Sequence, residues 1–409
     1  KRVANKLNIP TIPGTDSPIY NEMEAEDIAY SLLENQRILG IENPSVLVKA
    51  AAGGGGMGIE EVTEIEKFRR IYRQLQNYAK RQFGDGGVLI EQCLRDYNHL
   101  EVQLVCSRYS ERIHFSSRNC TIQSTGRQKR VEAAPGFHIS CFSYGFDEQK
   151  VLSQIVDYSL KLAAYVNYDN VGTWEWIVDR SGQPYLLEVN TRIQVEHTIT
   201  EETTGIDLVA EQLRVAAREP LSFETVKRTG HAIEFRINAE DPAGGFLPTP
   251  GKLSKYREPA GPWIRVDSGV RQGTRISQYY DNLIAKLVVR GRDRNEAIRR
   301  SIRALNEFEI EGVETTIPAH LRILEESDFV EGTIHTRFVE DSMNFSDLAT
   351  PTSPAIPEDE ELQQREITVE VGGRRFEVKY WSQVIASTGS GQRPAPRRKA
   401  PKLGKQQAS

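Results

Sequence analysis

The chain has 409 residues, 38% of them hydrophobic and 27% charged, with a formal net charge of −5. That is enough for two or three packed domains, and so small a net charge excludes the global basic field that draws proteins to nucleic acid. No stretch approaches the roughly 20 apolar residues that span a bilayer, and residues 1–6 lead into no signal-peptide core, so neither nucleic acid nor a membrane is expected as a partner.

Cys93, Cys106, Cys120 and Cys141 follow neither a zinc spacing nor a dense disulfide pattern, which fits a reduced, cytoplasmic setting. The chain begins without Met and inside a helical pattern, so it reads as a fragment whose start lies upstream.

Apolar spacing predicts a helix over 23–39 and a short strand over 44–49 that runs into Ala50-Ala51-Ala52-Gly53-Gly54-Gly55-Gly56-Met57-Gly58. A helix over 61–81, strands over 88–91, 100–106 and 113–116, and a long helix over about 147–165 follow. The mixture is α+β. A helix over 206–217 precedes a composition change near 225, after which strands shorten and Pro, Gly and Tyr become frequent. An amphipathic helix over 295–308, a linker over 347–364 and a β-hairpin over 365–382 about Gly372-Gly373 come next. The basic, Pro-rich residues 383–409 are expected to be disordered.

Three features could carry chemistry. A glycine run alone reads as a flexible loop, but this one follows a strand ending in Lys49, so backbone N–H groups and an ammonium could converge on phosphate oxygens. No Gly-Lys-Ser/Thr follows, so it is a glycine-rich flap and not a P-loop. Glu175 lies in a strand-like run, and Glu188 follows 13 residues later across Asp179-Arg180-Ser181-Gly182, a hairpin spacing. Adjacent antiparallel strands would bring the two carboxylates together, with Asn190 one alternation further on. Such a hard-oxygen set suits Mg²⁺. The plain alternative is two surface glutamates paired with Lys or Arg, and the apolar flanks weigh against it. Finally, Glu188, Asn190, Arg192, Gln194 and Glu196 recur at a period of two, predicting one charged strand face that requires a charged occupant.

At this point the residues match a family. Lys49 with Gly53 to Gly58, His99-Leu100-Glu101-Val102-Gln103, Gly172-Thr173-Trp174-Glu175, Glu188-Val189-Asn190-Thr191-Arg192-Ile193-Gln194-Val195-Glu196-His197, Arg236-Ile237-Asn238-Ala239-Glu240-Asp241-Pro242 and Phe246-Leu247-Pro248-Thr249-Pro250-Gly251-Lys252 stand in one order. Over about residues 1–345 the chain resembles the biotin carboxylase component of biotin-dependent carboxylases, most of all the α-subunit of an acyl-CoA carboxylase.

The resemblance implies an ATP-grasp domain over 1–225, with the flap at 50–58 and a lid at about 20–90, then a biotin carboxylase C-terminal α/β subdomain over 226–346. It also implies that the family's N-terminal Rossmann-like domain, and the lysine after it, have no counterpart here. The implied reaction phosphorylates bicarbonate with ATP and Mg²⁺ (or Mn²⁺) and passes the carboxyl group to biotin on a carrier.

Carried over by position, Lys49, Gly54, Gly55, Gly56, Glu91, Leu94, His99, Gln123 and Ile177 meet the nucleotide. Glu175, Glu188 and Asn190 hold the metal. Lys129, Arg192, Gln194 and Val195 (through its backbone) cradle bicarbonate, Glu196 is the base, and Arg265 stabilises the biotin enolate. The implied partners are a biotin carboxyl carrier domain, a second copy in a homodimer or larger assembly, and a carboxyltransferase β subunit. Residues 365–409 resemble the segment leading to a biotinyl domain, but no Met-Lys-Met acceptor occurs.

Met57 in place of a basic residue, Gln92 in place of Lys, and Arg127 in a lengthened loop depart from the family. Three other readings stay open: a pyruvate or urea carboxylase, a different ATP-grasp ligase, and an inactive scaffold.

Overall fold

In the computed structural model the described residues are 1–53, 58–109, 111–124, 127–137, 145–348, 363–371 and 374–382. The chain divides into a unit of residues 1–349 and a unit of residues 350–409. In the second, Gln363–Val371 and Arg374–Ser382 pair antiparallel.

Chain order in the first unit begins with a short helix, α1 (Arg2–Lys6), followed by α2 (Glu22–Ile38). The Asn21 side chain starts α2 by accepting from the N–H groups of Met23 and Glu24. β1 (Val46–Ala50), β2 (Ile59–Val62) and β3 (Val88–Gln92) form an antiparallel sheet in the order β2-β1-β3. α2 and α3 (Ile65–Phe83) cover it, burying Ala25, Ala29, Leu33, Phe68 and Tyr72 against Val46, Val48 and Ile90. The helix expected from residue 61 begins only at Ile65, because residues 59–62 extend the sheet instead, with Val62 buried opposite Val46.

The larger sheet has eight strands. Those from β4 to β9 are β4 (Asn98–Cys106), β5 (Arg112–Ser124), β6 (Gln128–Ala134), β7 (Asn170–Val178), β8 (Pro184–Asn190) and β9 (His231–Asn238). The order runs from Ile264–Ser268 through Leu283–Gly291, β9, β6, β5, β4 and β7 to β8. β5 exceeds the expected 113–116, and β6 has no counterpart among the expected strands. Both carry polar residues on a buried face, which hides the apolar alternation that marks a strand.

α4 (Glu148–Tyr165) packs Val151, Leu152, Ile155 and Leu162 against Leu100, Val102, Leu104, Trp174 and Trp176, closing one face of the sheet. The composition changes near 225, but the sheet runs on across it, since β9 pairs with β6 over Val131 to Ala134.

The row from Glu188 to Glu196 is a second correction. β8 stops at Asn190, and residues 191–196 leave the sheet to enter α5 (His197–Thr204). Arg192 is exposed, whereas Gln194 and Glu196 are buried, so the row bends around the end of a strand and does not line one face. α6 (Leu208–Ala216) follows, and α7 (Arg294–Glu307) packs on the C-terminal strands. Among the described residues no helix is long and apolar enough to cross a membrane.

Residues 8–19 tie the small sheet to the larger one. Thr11 bridges to Leu186, and Gly14 bridges to Glu91. At Gly14, with φ +153°, an added Cβ would lie 2.2 Å from the Ile90 carbonyl oxygen. Gly14→Ala is therefore expected to cost about 1–3 kcal/mol through a clash that backbone cannot relieve, read as a lower urea midpoint at unchanged m-value.

Candidate active site

The strand period of two sends His99, Glu101 and Gln103 to the face of β4 opposite Leu100, Val102 and Leu104. Cross-strand register then builds a single rung of charge. Arg118 of β5 pairs with Glu101, Glu101 with Glu175 of β7, and Glu175 with Glu188 of β8. Like charges directly opposite repel, so the rung needs cations.

Two are supplied within it. Arg118, almost fully buried, donates to Glu101 at 2.8 Å and 3.0 Å, to Gln103 at 2.7 Å and to Gln194 at 3.1 Å. Lys129 of β6 donates to Glu101, to Glu175 at 3.2 Å and to Glu196 at 2.8 Å. Three carboxylates hold one ammonium, and although burial alone would lower its pKa, Glu101 and Glu196 drive it well above the ordinary lysine value.

The carboxylates respond in opposite directions. Burial would raise Glu196, but Lys129, Arg236 and Arg118 outweigh it and hold the carboxyl well below its ordinary range. Burial likewise opposes ionisation of Glu175, and His99, Lys129 and the Gln194 amide together overcome it. Glu101 is raised, by burial first and then by repulsion from Glu196. His99 accepts from the Gln123 amide through Nδ1 at 2.8 Å, so the network assigns the proton to Nε2, which donates to Glu175 at 2.9 Å.

Between Glu175 and Glu188 lies only the Asn190 amide, donating 2.8 Å to Glu175 Oε1 and 3.1 Å to Glu188 Oε1. A neutral amide leaves two facing carboxylates uncompensated. Rotated about its own amide axis, Asn190 adds a third oxygen, so the donor set fits a hard divalent cation such as Mg²⁺ or Mn²⁺.

These groups open into a cleft of about 930 Å³ between the two sheets. Lys49, Glu91, Leu94, His99, Gln123, Lys129, Glu175, Ile177, Glu188, Asn190, Arg192, Gln194, Val195 and Glu196 all line it. At its far end Glu91 accepts from Lys49 and, at 3.1 Å, from Lys1, which keeps its carboxyl lowered against burial. Gln92 and Arg127, two of the departures from the family pattern, also line the cleft. Gly54, Gly55, Gly56 and Met57 fall outside the described residues.

Arg265 is the exception and a correction. It is not among the residues that line the cleft, and its guanidinium is held by Asp267 at 2.8 Å and Glu201 at 2.8 Å. Arg236 occupies the cleft wall instead, donating to Glu132 at 2.6 Å and to Glu196 at 3.1 Å. The Trp263 to Asp267 segment gives no sequence cue to this, because strand 264–268 lies at the sheet edge, two strands away from β9.

Sequence reasoning also gives no role to Glu101 or Arg118. The alternation of His99, Glu101 and Gln103 with apolar residues is a usable signal for the first; nothing local marks the second. Arg118→Met would leave Glu101 buried without its main partner, and is expected to cost about 3–5 kcal/mol in urea unfolding, more than a surface ion pair yields.

Comparison with known proteins agrees with the geometry. Residues 1–224 match the family model of the carbamoyl-phosphate synthase L chain ATP binding domain, and residues 234–341 that of the biotin carboxylase C-terminal domain. The chain is 41% identical over 347 residues to a biotin carboxylase of Nostoc, covering 83% of this chain and 72% of that protein. It is 40% identical over 343 residues to biotin carboxylase 1 of Bacillus subtilis, covering 83% and 72%. It is 35% identical over 402 residues to the biotin-dependent acyl-coenzyme A carboxylase alpha3 subunit of Mycobacterium leprae, covering 97% and 64%. Among solved structures, the biotin carboxylase domain dimer of Hydrogenobacter thermophilus 2-oxoglutarate carboxylase, in complex with MgADP, ADP and bicarbonate, superposes with a TM-score of 0.75 at 38% identity, covering 83% of this chain and 71% of that one.

Proposed function

The chain belongs to the biotin carboxylase family, and from that premise we propose that its cleft transfers a carboxyl group from bicarbonate to biotin at the expense of ATP. The observation that carries the reading is the placement of Glu196, a buried carboxylate, against the cations Lys129 and Arg236 on the wall of one cleft.

The nucleotide takes the end bounded by Lys49, Glu91, Leu94, His99, Gln123 and Ile177, with the glycines 54–56 as its flap. Lys49 exchanges its contact with Glu91 for a phosphate oxygen. Glu175, Glu188 and Asn190 hold the divalent cation, which supplies neutralisation of phosphate charge when bound. Bicarbonate enters beside Lys129, Arg192, Gln194 and the backbone of Val195. As Lys129 turns to the new anion, Glu196 loses part of the field that keeps it ionised, and its affinity for a proton rises. It then takes the bicarbonate proton, freeing an oxygen for attack on the γ-phosphate. The carboxyphosphate so formed breaks down to CO₂ and phosphate, and the phosphate accepts the N1 proton of biotin.

The cation available to the biotin oxygen that gains charge is Arg236, which the cleft contains, and not Arg265, which two carboxylates already hold. The acceptor biotin arrives on a carrier domain, and a carboxyltransferase subunit completes the cycle; a second copy of the chain is expected in a homodimer or larger assembly.

An acyl-CoA carboxylase is the preferred parent enzyme. The match to the mycobacterial acyl-CoA carboxylase subunit spans 402 residues, whereas those to three eukaryotic pyruvate carboxylases span 347, 354 and 348. With the matching carboxyltransferase and carrier, transfer to an acyl-CoA and not to pyruvate is the expected outcome.

Glu196→Gln should lower bicarbonate-dependent ATP turnover about 10²–10⁴-fold while leaving nucleotide affinity nearly intact; unchanged turnover removes Glu196 from the base role. Arg236→Met should depress biotin carboxylation far more than Arg265→Met, and the reverse order would restore Arg265.

A further inference from the structure

Beneath the Arg236–Glu196 pair lie two carboxylic acids that the mechanism above does not use. Glu132 of β6 and Glu234 of β9 stand directly opposite one another in the sheet, both with 0% exposure. Glu132 Oε1 accepts from Arg236 Nε at 2.6 Å, and the Thr198 hydroxyl donates to Glu234 Oε2. The other two oxygens, Glu132 Oε2 and Glu234 Oε1, are buried without a hydrogen-bond partner among the described residues.

An ionised carboxylate can only accept, so neither orphan oxygen can satisfy the other unless one carries a proton. The charge around them points the same way. Buried Glu101, Glu132, Glu175, Glu196 and Glu234 make five carboxylates. Facing them are Arg118, Lys129, Arg236 and Lys286, four cations, and Lys286 also serves Asp267 at 3.5 Å.

We propose that Glu132 and Glu234 are positioning residues that share a proton at neutral pH, and that retention of this proton lets the Arg236 and Glu196 end of the cleft admit an anionic substrate. This rests on the carboxylation reading above.

The groups facing the pair are Arg236 on β9, Lys129 on β6, Lys286 on the strand Leu283–Gly291, and Glu196 and Thr198 at the start of α5. Burial, which outweighs Arg236, pushes Glu132 up to about 7. Burial together with repulsion from Glu132 pushes Glu234 up to about 8, against Lys286, Thr198 and Arg236. For such a coupled pair the two values belong to the pair. Below them the pair is protonated and adds little charge. Above them the proton passes to solvent, a second buried negative charge appears, Glu132 grips Arg236 harder, and bicarbonate meets a more negative wall.

In the full chain with its carrier, the KM for bicarbonate is therefore expected to rise about fivefold between pH 8 and pH 9, as for one proton lost near pH 8, with kcat changing less. Glu234→Gln, a neutral isostere of the protonated acid, should flatten that rise. A rise parallel to the parent's would overturn the proposal. If Glu234→Gln does not fold, Thr198→Val removes the hydroxyl that favours the ionised form and should move the alkaline limb to higher pH; an unmoved limb counts against the pair.

Infrared difference spectra between pH 6 and pH 9 give an independent reading. A protonated-carboxyl band should be present at the lower pH, vanish at the higher, and be lost in Glu234→Gln or Glu132→Gln, and its absence from the parent chain sinks the proposal. Because this arm needs no turnover, an inactive parent chain would count against the function and not against the shared proton.

Discussion

The site depends on one ammonium shared by three buried carboxylates. Lys129 bonds Glu101, Glu175 and Glu196 at once, and each of those acids comes from a different part of the chain. Without that cation the cross-strand rung would place like charges face to face in a dry interior, where repulsion is strongest. With it, β4, β6, β7 and the turn into α5 are tied to a common point. The same arrangement creates reactivity, because an incoming anion competes for the ammonium that keeps Glu196 ionised. Stability of the free enzyme and basicity in the loaded one are two states of a single interaction.

The sheet divides its labour by face. Leu100, Val102, Leu104, Trp174 and Trp176 pack under α4 on one side, and His99, Glu101, Gln103, Thr173 and Glu175 occupy the other. Apolar burial on the first face stabilises the polar concentration on the second, which on its own would be unfavourable. The small sheet of β1 to β3 then closes over that polar face, bringing Lys49 and Glu91 to the opposite wall of the cleft. Gly14, pressed against β3, fixes the junction between the two.

Charge balance explains why the site extends deeper than the residues that touch substrate. Arg118 serves Glu101 and the Gln194 side chain from below. Arg236 serves Glu196 on one side and Glu132 on the other. A buried guanidinium with two carboxylate partners holds its position only while both partners keep a suitable charge, so the state of Glu132 and Glu234 reaches the cleft through Arg236 without contact with substrate.

Local pattern was sufficient for much of this. Helices α2, α4, α6 and α7 follow their apolar spacing, and the 13 residues between Glu175 and Glu188 fix a hairpin whose register is as expected. The family motifs locate every described residue of the cleft that they name, Arg265 apart. What the sequence could not decide lies in pairings between distant segments. β6 meets β9 across roughly a hundred residues of chain, and that register alone puts Arg236 beside Glu196, Glu132 opposite Glu234, and Arg265 out of reach. A period of two tells which face a side chain takes. Only the assembled sheet tells what faces it, because cross-strand register is set by the packing of whole layers and not by the residues on either strand.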